Sequence, residues 1–179
     1  MPRNSGLQPP PKPEDYTRIL NEFPGLMKHE WDIRSRQTKT HNCIAYAAGS
    51  EDRPWWPVPA WVRIAYWPPG VPREENIPSF IQAFETLGYQ VCESGDLEAG
   101  YQKIVIYANS MGVPSHAAIQ TPSGTWKSKL GDWEDIEHAT PDALNGRRYG
   151  FPVQYMKRAI GQKASGSHTI GKKRPRKSG

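Results

Sequence analysis

The chain has 179 residues, enough for one domain with an ordinary core, and its seven Trp and eight Tyr offset a hydrophobic content of only 36%. No apolar run nears the roughly 18–20 residues of a membrane span, the start lacks a signal h-region, and two cysteines make no disulfide framework, so a cytoplasmic protein is expected. The net charge of +5 belongs to residues 161–179, which hold six Lys or Arg and no acid; the remainder carries 17 basic and 18 acidic residues and lacks a basic face for nucleic acid.

Residues 1–13 are polar and Pro-rich and read as a flexible leader before a single domain over residues 14–160. From Asp15, the spacing of Tyr16, Ile19, Leu20 and Phe23 predicts a helix that Pro24-Gly25 ends. Asn42 is a good N-cap for a short buried helix that starts at Cys43 and closes at Gly49. The segment RPWWPVPAWVRIAYWPPGVP cannot be a regular helix, because its prolines remove donors and fix the backbone. Its Trp55, Trp56, Trp61 and Trp67 are expected to complete or cover the core, with Trp55 and Trp56 as candidates for lining a substrate groove. Ser79 and Gln82 form a capping-box pattern ahead of an amphipathic helix that Gly88 stops.

Strand patterns follow at 89–92, 101–108, 116–120, 125–130 and 149–155, with a helical turn near Thr140-Pro141. Thr121-Pro122-Ser123-Gly124 is a turn, and the hairpin it makes sets His116 opposite the region of Ser128 and Lys129. Helices first and sheet later indicate an α+β fold. The final segment, with its KKRPRK run, reads as a disordered basic tail, and nucleic acid is a partner only through it.

A thiol at a helix start and an imidazole at a strand start suit a nucleophile and its base. Exposed backbone N–H groups at the helix start favour the thiolate of Cys43, and His116 within reach would take the thiol proton and later protonate a leaving amine. The Cys43 amide and His41 are candidates to stabilise an oxyanion, and Lys129 to bind an anionic substrate. The imidazole needs an orienting partner, and Ser128, Asp132 and Asp135 are all open. His41, Cys43, His116 and His138 could be metal ligands, but no CxxC or HExxH spacing exists, so neither metal nor cofactor is expected.

The stretch HAAIQTPSGTWKS, with Asn42-Cys43 at a helix start, resembles the NlpC/P60 branch of the papain-like cysteine peptidases. That resemblance implies a small antiparallel sheet packed against N-terminal helices, with Cys43 as nucleophile, His116 as base and Ser128 in the third position. NCIAYA, RPWWP, LGYQVC, KIVIYA, SHAAIQ, WKSKLG and DIEH occur in that order. Together they resemble a widespread uncharacterised bacterial family with an NCIAWA-like helix, a THAA-like strand and a W-x-SKLG run. The activity expected is hydrolysis of an amide or peptide bond by a Cys–His pair on an unknown amide-containing substrate. The alternative is a catalytically silent binding or accessory protein that meets a protein partner through the Trp/Pro loop and the basic tail.

Overall fold

Seven antiparallel strands make one sheet in the computed structural model of the chain, which describes residues 9–161. The basic tail and the first eight residues of the leader lie outside the described residues. The elements in chain order are α1 (Pro13–Glu22), a 3-10 turn (Pro24–Lys28), β1 (Trp31–Ile33), α2 (Cys43–Ala47) and α3 (Ile77–Glu85). Then come β2 (Gln90–Cys92), β3 (Tyr101–Ala108), β4 (Pro114–Gln120), β5 (Trp126–Lys129), β6 (Asp135–His138), a second 3-10 turn (Pro141–Leu144) and β7 (Phe151–Ala159). The strands lie in the order β1-β6-β5-β4-β3-β7-β2. The fold is therefore α+β, an antiparallel sheet packed against a few helices.

Strand alternation divides the core in two. Ile104, Ile106 and Ala117 lie on the face covered by α2, α3 and the Trp/Pro segment, with Ile44, Phe80, Phe84 and Trp67. Val105, Tyr107 and Ala118 lie on the other face, under Ile19, Phe23, Leu26, Leu144 and Tyr149. Phe80 and Phe84 are fully buried, and each contributes roughly 2–3 kcal/mol.

α2 forms where its cap dictates. The Asn42 side chain accepts the Ala45 N–H at 3.0 Å, and the same oxygen accepts the Trp55 N–H at 3.1 Å. Its amide nitrogen donates to the Trp55 carbonyl at 2.8 Å. One asparagine thus caps the helix and pins the Trp/Pro segment against it. α3 departs from its expected start. Asn76, not Ser79, is the N-cap, accepting the Ser79 N–H at 2.9 Å. Pro78 falls in the first turn, where its missing N–H costs nothing, and Ser79 is buried three positions into the helix.

Two strands were not expected, β1 and β6. Both are short and polar, and they pair with each other, Trp31 opposite His138 and Ile33 opposite Ile136. Arg34 donates to Glu137 at 2.9 Å and Ser35 to Asp135 at 2.6 Å across that edge. The hairpin expected at 121–124 forms as read, with the Thr121 N–H donating to the Thr125 carbonyl and Gly124 at φ +91°. The last strand starts at Phe151 rather than at Tyr149.

Three of the four tryptophans of the Trp/Pro segment serve the core. Trp55 and Trp67 are buried, and half-buried Trp56 packs edge-on to Phe80 while its ring nitrogen donates to Glu75 at 3.1 Å. Trp61 is the exception at 81% exposed.

Candidate functional site

Cys43 is the first residue of α2 and packs in the core on the α2 face of the sheet. It is 7% exposed. Burial pushes its thiol up to about 11, against the opposing pull of the Ala117, Ile44 and Cys43 backbone amides and the Lys129 charge. The thiol is therefore protonated at neutral pH. A helix of only five residues has too little aligned backbone dipole to reverse that.

His116 lies in β4, fully buried, between two aromatic rings. Tyr149 stacks on it in parallel at 4.0 Å, and Tyr107, its partner across the β3–β4 ladder, meets it edge-on at 5.1 Å. Both tyrosines belong to the core on the α1 face, so His116 and Cys43 pack on opposite sides of β4. No hydrogen bond joins them, and the thiol comes to β4 at the amide of Ala117, the next residue. Burial drives the His116 pKa well below its usual 6.5, and nearby His138 adds to the effect.

Register gives His116 a hydrogen-bonding neighbour on β5. Ile119 faces Lys127 and Gln120 faces Trp126, so one step further Ser128 faces Ala118 and meets His116 diagonally. His116 Nε2 and Ser128 Oγ are 2.9 Å apart. Asp132 does not take this role. β5 ends at Lys129, Gly131 turns the chain at φ +61°, and Asp132 is exposed on that turn. Asp135 lies on β6 and accepts from Ser35.

The sequence puts His138 with His116 only as a possible metal ligand, not as a hydrogen-bonding neighbour of Ser128. On β6 it faces Trp126, and it reaches Ser128 diagonally, with Nε2 2.9 Å from Ser128 Oγ and Nδ1 2.7 Å from the Thr140 carbonyl. Burial lowers its pKa from 6.5 to about 4. His116, Ser128 and His138 thus form a buried string across β4, β5 and β6. The Nδ1 of His116 has no hydrogen-bond partner. Tyr149 was also missed as a site residue. It is set by the Gly146–Gly150 loop, and Ser115 Oγ donates to its carbonyl.

The remaining candidates have structural surroundings. The Lys129 ammonium is buried and donates to the Trp133 carbonyl, with burial lowering its pKa against Asp135, Asp132 and Glu134. His41 is buried and stacked parallel to Tyr46 at 5.8 Å, and neither ring nitrogen has a partner. Trp55 serves the Asn42 cap, and Trp56 lies over α3. A cleft of about 670 Å³ opens between the start of α1 and the β1 edge, lined by Asp15, Arg34, Arg36 and Glu134; Cys43, His116 and Ser128 are not in its wall. Among the described residues, no group of three or more His, Cys, Asp or Glu could hold a metal ion, and no helix is long and apolar enough to cross a membrane.

Residues 32–157 match a family described as a domain of unknown function, DUF7689. The chain belongs to that family. The matched span runs from β1 into β7 and carries Cys43, His116, Ser128 and His138, while α1 lies before it. No curated protein and no solved structure matches the chain.

Proposed function

We propose that this member of the family is a cysteine hydrolase with a papain-like arrangement of the NlpC/P60 kind, cleaving an amide or peptide bond, and that the structure is its closed form. The observation that carries this reading is the string from His116 through Ser128 to His138. It ties down one nitrogen of a buried imidazole and leaves the other bare. A buried polar string costs desolvation that an apolar core would avoid, and in exchange it fixes the orientation of the buried imidazole, as a catalytic base requires.

In the reaction, His116 Nδ1 takes the Cys43 thiol proton as sulfur bonds to the carbonyl carbon. The proton then passes to the leaving amine as the C–N bond breaks. Water attacks the resulting thioester, releasing the acid and restoring the thiol. Backbone amides beside Cys43 and the bare ring of His41 are the candidate oxyanion donors. Because Cys43 and His116 are neutral, enclosed and on opposite sides of β4 in the closed form, the reaction requires a rearrangement of β4 that carries the imidazole round to the α2 face, beyond the displacement of Tyr149 from His116.

A panel of peptide amides with a fluorogenic amine leaving group tests the reading. Turnover is expected to fall roughly 10³-fold or more in Cys43→Ala and in His116→Ala. Turnover unchanged by Cys43→Ala would remove the hydrolase assignment.

A second reading is a catalytically silent papain-like binding protein. The burial of Cys43 and its thiol pKa of about 11 favour it. Its contact surface would be the exposed part of the Trp/Pro segment, where Trp61 projects into solvent with Ile64.

A further inference from the structure

We propose that His138 is a positioning residue that sets the tautomer of His116 through Ser128, so that the third catalytic position is shared by two side chains. The argument starts at the Thr140 carbonyl, which can only accept. The Nδ1 of His138, 2.7 Å away, must therefore carry the hydrogen and donate to it. A neutral imidazole has one N–H, so its Nε2 is bare and accepts the Ser128 hydroxyl hydrogen at 2.9 Å. The Ser128 oxygen has then given away its only hydrogen, and His116 Nε2–H must donate to it, also at 2.9 Å. That leaves His116 Nδ1 as an unprotonated lone pair, the nitrogen without a partner.

A single backbone carbonyl thus orders three side chains in one direction. Burial supports this order by keeping His138 neutral. A protonated His138 would donate from both nitrogens, turn the Ser128 hydroxyl toward His116, and move the His116 hydrogen to Nδ1. The use of the bare Nδ1 as a base rests on the hydrolase reading. The tautomer itself does not.

The test is long-range ¹H–¹⁵N correlation on the ¹⁵N-labelled full chain at pH 7.5, which reads the protonation of each ring nitrogen without any substrate. The native protein should show His116 with bare Nδ1 and protonated Nε2, and His138 with the reverse. In His138→Phe, Ser128 loses its acceptor and donates to His116 Nε2, so His116 should switch to the Nδ1–H form. If an open form pairs Cys43 with His116, alkylation of Cys43 at neutral pH should also slow, roughly a hundredfold, as expected for a base in the wrong tautomer. A native His116 protonated at Nδ1 overturns the proposal, as does a tautomer unchanged in His138→Phe. Should that variant not fold, the native spectrum and that of Ser128→Ala decide, the latter expected to show mixed tautomers. A correct native tautomer with no activated thiol would spare the relay and remove the hydrolase.

Discussion

Gly150→Ala is expected to lose at least about 4 kcal/mol of stability, enough to lower the melting temperature by roughly 10 °C or to leave the protein insoluble. A Cβ at this position would lie 1.9 Å from the Ala108 carbonyl oxygen, 2.6 Å from its carbon and 2.8 Å from the Asn109 Cα. All three are backbone atoms at the end of β3 and cannot swing aside. The φ of +71° adds a strain that only glycine escapes. The close approach serves the site, because Gly146 and Gly150 exchange backbone hydrogen bonds at 2.7 and 2.9 Å, and the loop they close lays Tyr149 on His116. Gly88 offers the control. Its φ is +86°, with open space where a Cβ would go, so Gly88→Ala should cost only about 1 kcal/mol. Thermal unfolding of both variants separates steric clash from backbone strain. A Gly150→Ala protein melting within about 2 °C of the native one would contradict the packing described here.

Stability should fall steeply between pH 6.5 and pH 5, before most carboxylates titrate. His138 is held neutral in the fold, its pKa lowered from 6.5 to about 4, and His116 is displaced in the same direction by burial. The unfolded chain releases both rings to water at their ordinary pKa, so below 6.5 it binds protons that the folded chain refuses. The stabilisation is complete above pH 6.5 and is lost as pH falls toward the folded values. For His138 the loss at pH 5 is about 2 kcal/mol, at 1.36 kcal/mol per pH unit, and His116 adds to it. Glu137, whose pKa is lowered by its bonds to Thr125 and Arg34, deepens the loss in more acidic solution, while the raised pKa of Asp135 works against it. Urea unfolding at pH 7.5, 6 and 5 checks the effect, with the midpoint expected to drop by about 1 M or more. A midpoint constant from pH 7.5 to 5 would mean that the histidines are not buried neutral.

Much of the fold is legible in local chemistry. Asn42 announces α2, the run of branched and aromatic residues in 101–108 announces β3, and the glycine-bearing turn at 121–124 announces the β4–β5 hairpin. Each of these signals lies within a few residues of the structure it causes. β1 carries no such signal and β6 only the Gly131-Asp132 turn before it, since WDI and DIEH are short and charged and become strands by pairing with each other and, for β6, with β5.

The same distinction governs the site. Ser128 as partner of His116 follows from hairpin register alone, because the two residues belong to adjacent strands joined by one turn. His138 requires a second register, across a strand that the sequence did not announce. A second hairpin was nevertheless marked by Gly131-Asp132, and folding about it would have brought DIEH beside WKSK. The faces were the harder matter. Alternation along HAAIQ sends His116 and Ala117 to opposite sides, and only the packing of α2 shows that Cys43 lies on the side of Ala117. Burial of the thiol follows from the same packing, and no residue near Cys43 in sequence could have shown it.

The pH dependence of Cys43 alkylation by iodoacetamide is the most direct measurement of the central claim. It is made on the full chain and on His116→Ala, with Cys92→Ala in both so that one thiol reports. If an open form pairs Cys43 with His116, labelling persists into mildly acidic solution and is lost there when the imidazole is removed. Labelling that rises only in alkaline solution, as a thiol near 11 requires, and that is indifferent to His116→Ala would contradict the hydrolase and leave the binding protein.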